Sequence, residues 1–181
     1  MADRLFDDYF SVRLGCDVHL DWLSSTAPVP DTQQLADSLP PLRKQLDLLA
    51  EQEQLLLTEL KDERQSPLAR LLLLHQQKLE LLSEALLSQD LQDKHWRRTV
   101  HFSAGGFSIP HSDIEGQTAK VTLRLPLGQV TGYATLVSQD DEYAYFQYVS
   151  LLDSDREKLV RLALQTQSDQ LRARRERNEE K

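Results

Sequence analysis

Apolar and polar positions change rhythm three times along this chain. In residues 12–23, Val18, Leu20 and Trp22 alternate with Asp17, His19 and Asp21. A period of two marks a strand with one buried face and one wet face. The run ends in Ser24-Ser25-Thr26-Ala27-Pro28-Val29-Pro30, a linker by composition.

From residue 31 to residue 93 the period lengthens. Leu35, Leu39, Leu42, Leu46, Leu49, Leu56 and Leu60 recur at alternating steps of four and three, with Glu53 filling one slot. After Ser66-Pro67 the rhythm returns at Leu68, Leu72, Leu79, Leu82 and Leu86, with His75 in one slot. This is the a/d pattern of heptad helices. Pro40-Pro41 marks a helix start, and Ser66-Pro67 reads as an N-cap followed by a first-turn proline. The pattern predicts two helices of about six to seven turns each, joined near Gln65 as a hairpin or a kinked rod.

Beyond residue 96 the short period returns. Strands are predicted at 97–102, 107–109, 117–125, 129–137 and 143–149, with Gly116 and Gly128 as turn signals. A last helix is predicted from Asp153, with Leu159, Leu162, Ala163 and Leu171 on one side. Five short strands leave an open sheet edge, and the strand at 12–23 has no partner nearby in sequence. The economical solution is an α+β fold in which that strand completes a six-stranded antiparallel barrel. Residues 1–30 and 94–181 then form the barrel and its C-terminal helix, and residues 31–93 form a helical heptad insertion.

Composition narrows the function. The chain has 181 residues, a net charge of −8 and one cysteine, Cys16. An acidic balance argues against a nucleic-acid partner, which needs a basic face. A lone cysteine forms no internal disulfide and no cysteine-based zinc site, as expected of a cytoplasmic protein. No apolar run is long enough for a membrane span, and the first residues lack the basic start of a secretory signal. His19, His75, His95, His101 and His111 have no metal-ligand spacing. No nucleophile–base pair is visible, so the chain is expected not to be an enzyme and to carry neither a metal nor a resident cofactor. Arg172, Arg174, Arg175 and Arg177 read as a solvated helix end whose charge suits the macrodipole.

Two short stretches carry the recognisable chemistry. One is Tyr9-Phe10-Ser11-Val12-Arg13, entering the first strand. The other is His101-Phe102-Ser103-Ala104-Gly105-Gly106, which by itself reads as a tight turn between strands. Together with the strand order and the final helix, they resemble the PilZ domain family, β-barrel receptors for cyclic di-GMP. In that family the ligand is held by Arg-x-x-x-Arg before the first strand and by Asp/Asn-x-Ser-x-x-Gly after the second. The resemblance implies that Arg13, Ser103 and Gly106 keep their motif positions. Tyr9 stands for an arginine and His101 for an acid or amide. Arginine pairs bidentately with phosphate and stacks on bases. Tyr9 can stack on a base without pairing a phosphate, and His101 does not copy a carboxylate. One charge-assisted hydrogen bond is worth about 1.5–3 kcal/mol, so cyclic di-GMP is expected to bind weakly or not at all. A rival match, Lys94-His95-Trp96-Arg97-Arg98, places a base and an arginine four apart but abuts the serine motif with no strand between them; it reads as a helix-to-strand junction, from which Arg97 or Arg98 could still reach a ligand.

The resemblance implies a signalling or adaptor module with a protein partner in motility, pilus or exopolysaccharide machinery. The rival reading is a self-assembling docking scaffold independent of the nucleotide. Leu48, Leu55, Leu57, Leu71, Leu73, Leu74, Leu81 and Leu87 lie off the main leucine seam. One hairpin covers one stripe per helix, so the surplus predicts a homo-oligomer, dimer or tetramer, built through residues 40–91, the alternative being that the second stripe packs on the chain's own barrel or C-terminal helix. A branch of the PilZ family with added heptad helices also oligomerises, which the resemblance extends to this chain.

Overall fold

Alternation along the β segments fixes which side chains meet inside the sheet. The computed structural model describes residues 11–59, 95–111, 114–126 and 128–179, together with scattered helical positions between 71 and 82. Its strands are β1 (Val12–Arg13), β2 (Asp17–Trp22), β3 (Arg97–Arg98), β4 (His101–Phe102), β5 (Gly106–Pro110), β6 (Thr118–Leu125), β7 (Gly128–Gln139) and β8 (Tyr143–Leu151). The helices are α1 (Thr32–Ser38), α2 (Pro41–Glu59) and α3 (Asp153–Glu179).

All described strands join one antiparallel sheet, in the order β1-β4-β5-β8-β7-β6-β2-β3. The segment at 12–22 meets β6 on one side, where Val18 faces Leu123 and Leu20 faces Val121. On its other side it meets β3 and β4, so the first strand of the chain does enter the sheet. There are eight strands where six were expected. The two extra arise because the segments 12–22 and 97–102 are each interrupted. Between the pairs Arg13↔His101 and Asp17↔Arg98 one strand advances four residues and its partner three. Such a mismatch is a bulge, which breaks the ladder and bends the strands. Thr99 holds the break together: its hydroxyl donates to the Leu14 carbonyl at 2.7 Å and accepts the Cys16 N–H at 2.8 Å. The sheet therefore curls until its terminal strands are continuations of β2 and β4.

The inner face carries Val18, Leu20, Phe102, Phe107, Ile109, Val121, Leu123, Val130 and Phe146, all buried. Phe107 and Phe146 stack at 5.3 Å between centroids, and Trp22 tilts against Phe146 at 6.0 Å. Each buried large side chain contributes roughly 1.5–3 kcal/mol relative to exposure. Leu159, Leu162 and Ala163 of α3 complete this core. Leu171 does not join them and is exposed. At about 100° per residue it shares a face with Leu164, while Leu162 lies on the opposite side. Asp155, fully buried in the first turn of α3, accepts the Thr131 N–H of β7 at 3.2 Å and the Lys158 ammonium at 3.1 Å.

Cys16 sits at the bulge, and burial pushes its thiol up from 9.0 to about 11. The folded state thus favours the protonated thiol more strongly than the unfolded chain does. The stability this contributes is complete below about pH 9 and is lost as pH rises through about 11. Urea midpoints followed from pH 8 upward should fall more steeply for the wild type than for Cys16→Ala, with the divergence confined to that window.

The described chain divides into two compact units, one running to Ala36 and resuming at His95, the other Asp37–Lys94. The leucine rhythm is broken early. α1 ends at Ser38, so Leu35 and Leu39 belong to a different segment from Leu42, Leu46 and Leu49 of α2. Proline at 40 lacks the N–H that would continue α1, and Pro41 opens α2 as the spacing predicts. Leu42, Leu49, Leu72, Leu79 and Leu82 of the seam are exposed. Leu60, Leu68 and Leu86, with the junction near Gln65, lie outside the described residues, as does the side chain of Leu56.

Candidate ligand site

The outward residues of β1 and β4 bring two of the motif positions together. Arg13 and His101 are direct cross-strand partners, and both point away from the core formed by Val12 and Phe102. Arg13 is exposed, and its guanidinium has no partner among the described residues. Its main-chain carbonyl accepts a hydrogen bond from Gln170 of α3 at 2.9 Å, which ties β1 to the helix. His101 is half-buried. Its N–H donates to the Ser108 hydroxyl at 3.1 Å, and its Nδ1 lies 2.9 Å from the same oxygen. The ring meets the edge of Tyr143 at 5.6 Å. Tyr9, the other end of the arginine motif, lies outside the described residues.

Ser103 faces the other way. It is fully buried, and its hydroxyl donates to the Gly106 carbonyl at 3.1 Å. The same oxygen accepts the N–H groups of Gly105 at 3.1 Å and Gly106 at 3.0 Å. A serine hydroxyl offers one donor and two acceptor sites, so its capacity is used within the turn. The turn is also held from outside. The Ala104 carbonyl accepts Arg156 of α3 at 2.9 Å, and the Gly105 carbonyl accepts the Tyr148 N–H at 3.0 Å. The serine-glycine motif here shapes the β4–β5 turn, with Gly106 buried as the first residue of β5. The Ser103 hydroxyl is buried, whereas Arg13 is exposed.

A second polar cluster on the outer face was not singled out by local sequence pattern. His19 of β2 is buried: its Nδ1 lies 2.9 Å from the His95 carbonyl and its Nε2 lies 2.8 Å from Asp21 Oδ1. Both ring nitrogens thus face oxygen acceptors. Its ring tilts against Trp96 at 5.7 Å, and the Arg124 guanidinium lies 4.0 Å over the Trp96 ring. Such a cation–π contact is worth about 0.5–1 kcal/mol near a surface. The junction at 94–98 therefore works as packing: Trp96 is gripped from two strands.

At the β7–β8 hairpin, the N–H groups of Tyr143 and Glu142 donate to Asp140 and hold its carboxyl below the usual carboxylate range. Tyr145 donates its hydroxyl to the same carboxylate at 3.0 Å, and burial raises its phenol above the ordinary value. This network fixes a hairpin rather than a reactive centre. Among the described residues no three histidine, cysteine or acidic side chains converge as a metal site. Among them also no helix is long and apolar enough to cross a membrane.

No family model and no curated protein matches this chain. Solved structures do. One is a Xanthomonas campestris protein described as a new tetrameric PilZ domain self-assembled via an unusual helical bundle. It shares 19% identity over 93% of this chain and 94% of that one, with a TM-score of 0.49. Another is the Bacillus subtilis inhibitor of motility MotI/DgrA, at 17% identity over 43% of this chain, with a TM-score of 0.36. That second match spans 44% of the Bacillus protein's length. At these identities and TM-scores neither likeness transfers a fold, ligand, assembly or partner to this chain.

Proposed function

We propose that this chain is a non-enzymatic PilZ-like signalling or adaptor module with weak or lost cyclic di-GMP binding, which assembles through its helices. The observation that carries the reading is the split fate of the two motifs. Arg13 stands exposed opposite His101 with its guanidinium unengaged among the described residues, while the hydroxyl of Ser103 is spent on its own turn. One arginine at an open strand face supports contact with a phosphate. The remaining motif supports the backbone, and a histidine replaces the acceptor that would read a guanine edge. A partner in motility, pilus or exopolysaccharide machinery and a cytoplasmic setting follow from the same reading.

Calorimetry on the full chain tests it. Cyclic di-GMP should bind with a dissociation constant in the tens of micromolar or weaker, about −6 kcal/mol or less favourable. Where binding is measurable, Arg13→Ala should remove it, and Tyr9→Arg combined with His101→Asp should strengthen it. Submicromolar binding by the wild type would refute the reading.

A second reading, a docking scaffold independent of the nucleotide, is favoured by the exposed leucines at 42, 48, 49, 71, 72, 74, 79 and 82. A surface this apolar on a lone chain points to a covering partner, most simply another copy. The two readings part on one result: nucleotide either does or does not alter a property of the assembled protein.

A further inference from the structure

We infer that Arg98, laid across Gly15, forms with Arg13 a two-guanidinium site for a phosphate or phosphodiester anion on the outer face of the sheet. The inference rests on the receptor side of the proposal above and adds a residue that neither ligand motif contains. It starts from Gly15, in the bulge between β1 and β2. A Cβ placed there would stand 2.5 Å from Arg98 Nε and 3.3 Å from its Cδ and Cγ. Glycine is what allows the arginine stem to lie against the backbone at this point. Nε then donates to the Gly15 carbonyl over a long 3.4 Å. That contact orients the side chain and uses one of its five N–H donors. The two terminal amino groups have no partner among the described residues.

Arg13 lies two residues before Gly15, at the end of β1. It is exposed, as Arg98 is, and its guanidinium is equally unengaged among the described residues. The bulge thus lies between two exposed arginines, Arg13 at its start and Arg98 opposite Asp17 at its end. A planar guanidinium is built for bidentate contact with phosphate oxygens, and two of them can take one phosphate or two neighbouring ones. Asp17 faces Arg98 across the ladder but forms no ion pair with either arginine among the described residues. Its carboxylate lowers the local positive potential, so Asp17→Asn should tighten anion binding.

The experiment titrates the full chain with cyclic di-GMP and, separately, with inorganic phosphate. It follows the side-chain Nε–Hε signals of Arg13 and Arg98 by NMR and the affinity by calorimetry. With cyclic di-GMP both signals should move together. Arg98→Ala and Arg13→Ala should each weaken binding about tenfold or more, the loss of one charge-assisted contact. Gly15→Ala should displace the Arg98 signal and weaken binding, while the urea midpoint stays close to that of the wild type. If Arg98→Ala binds like the wild type while Arg13→Ala does not bind, the inference is overturned and the receptor reading survives. A response to phosphate but not to cyclic di-GMP supports the anion site and overturns the nucleotide. Silence of both signals toward both probes overturns the inference and leaves the scaffold reading.

Discussion

Ser103→Ala is expected to destabilise the β domain by about 2–4 kcal/mol, the cost of stranding buried donors rather than of losing a methyl-sized group. Three hydrogen bonds converge on this hydroxyl. Alanine removes all of them and leaves the N–H groups of Gly105 and Gly106 unserved. The Gly106 carbonyl keeps its bond from the Ser103 N–H at 2.9 Å, so the turn loosens without losing its path. Urea unfolding followed by tryptophan fluorescence measures the loss, because both tryptophans, Trp22 and Trp96, lie in the β unit. The comparison with Arg13→Ala carries the functional content. An exposed arginine whose guanidinium has no partner among the described residues should change stability by less than about 0.5 kcal/mol while removing any nucleotide response. The opposite outcome, a neutral Ser103→Ala that abolishes binding, would put the serine at the ligand.

Much of this fold is legible because a half-buried sheet writes its core into the sequence at period two. Val18, Leu20 and Trp22 match Ala119, Val121 and Leu123 face to face, and the alternation of each segment alone marks these residues as inward. The isolated early strand then demands a distant partner, and the ladder to β6 supplies it. The breaks in the strands are not legible. They depend on Thr99 reaching Leu14 and Cys16, some 83 to 85 residues away in sequence, which no local pattern encodes. Leu171 leaves the expected face for a simpler reason: over nine residues from Leu162 a helix turns through about half a revolution beyond its whole turns.

At the site, motif spacing names Arg13 and His101, which the sheet sets opposite one another, but it gives no sense of direction. A motif names residues, whereas burial decides which of them a ligand can meet. Ser103 satisfies the spacing and points inward. Arg98, four residues after Lys94 in the rival match, is exposed, and the glycine in the bulge between β1 and β2 makes room for its stem. The Trp96 grip by His19 and Arg124 is hidden in the same way, since its three members come from separate segments.

Leu79→Glu combined with Leu82→Glu is expected to convert the assembled protein to monomer while the β domain stays folded. Both leucines are 61% exposed in the single chain, on the seam that the heptad spacing defines. Burying a leucine fully contributes about 1.5–3 kcal/mol, and leaving a carboxylate in its place in an apolar interface costs more. A closed symmetric interface repeats each change in every copy, so two substitutions act at least fourfold. Light scattering at about 10 µM chain, where an association worth about −7 kcal/mol is half-saturated, should show a wild-type mass above that of one chain. The double variant should show the mass of one chain with an unchanged tryptophan emission. Leu164→Glu with Leu171→Glu serves as the counter-test, because α3 also exposes an apolar stripe. If that pair dissociates the protein and the first pair does not, the interface lies on the C-terminal helix. A monomeric wild type removes the assembly altogether.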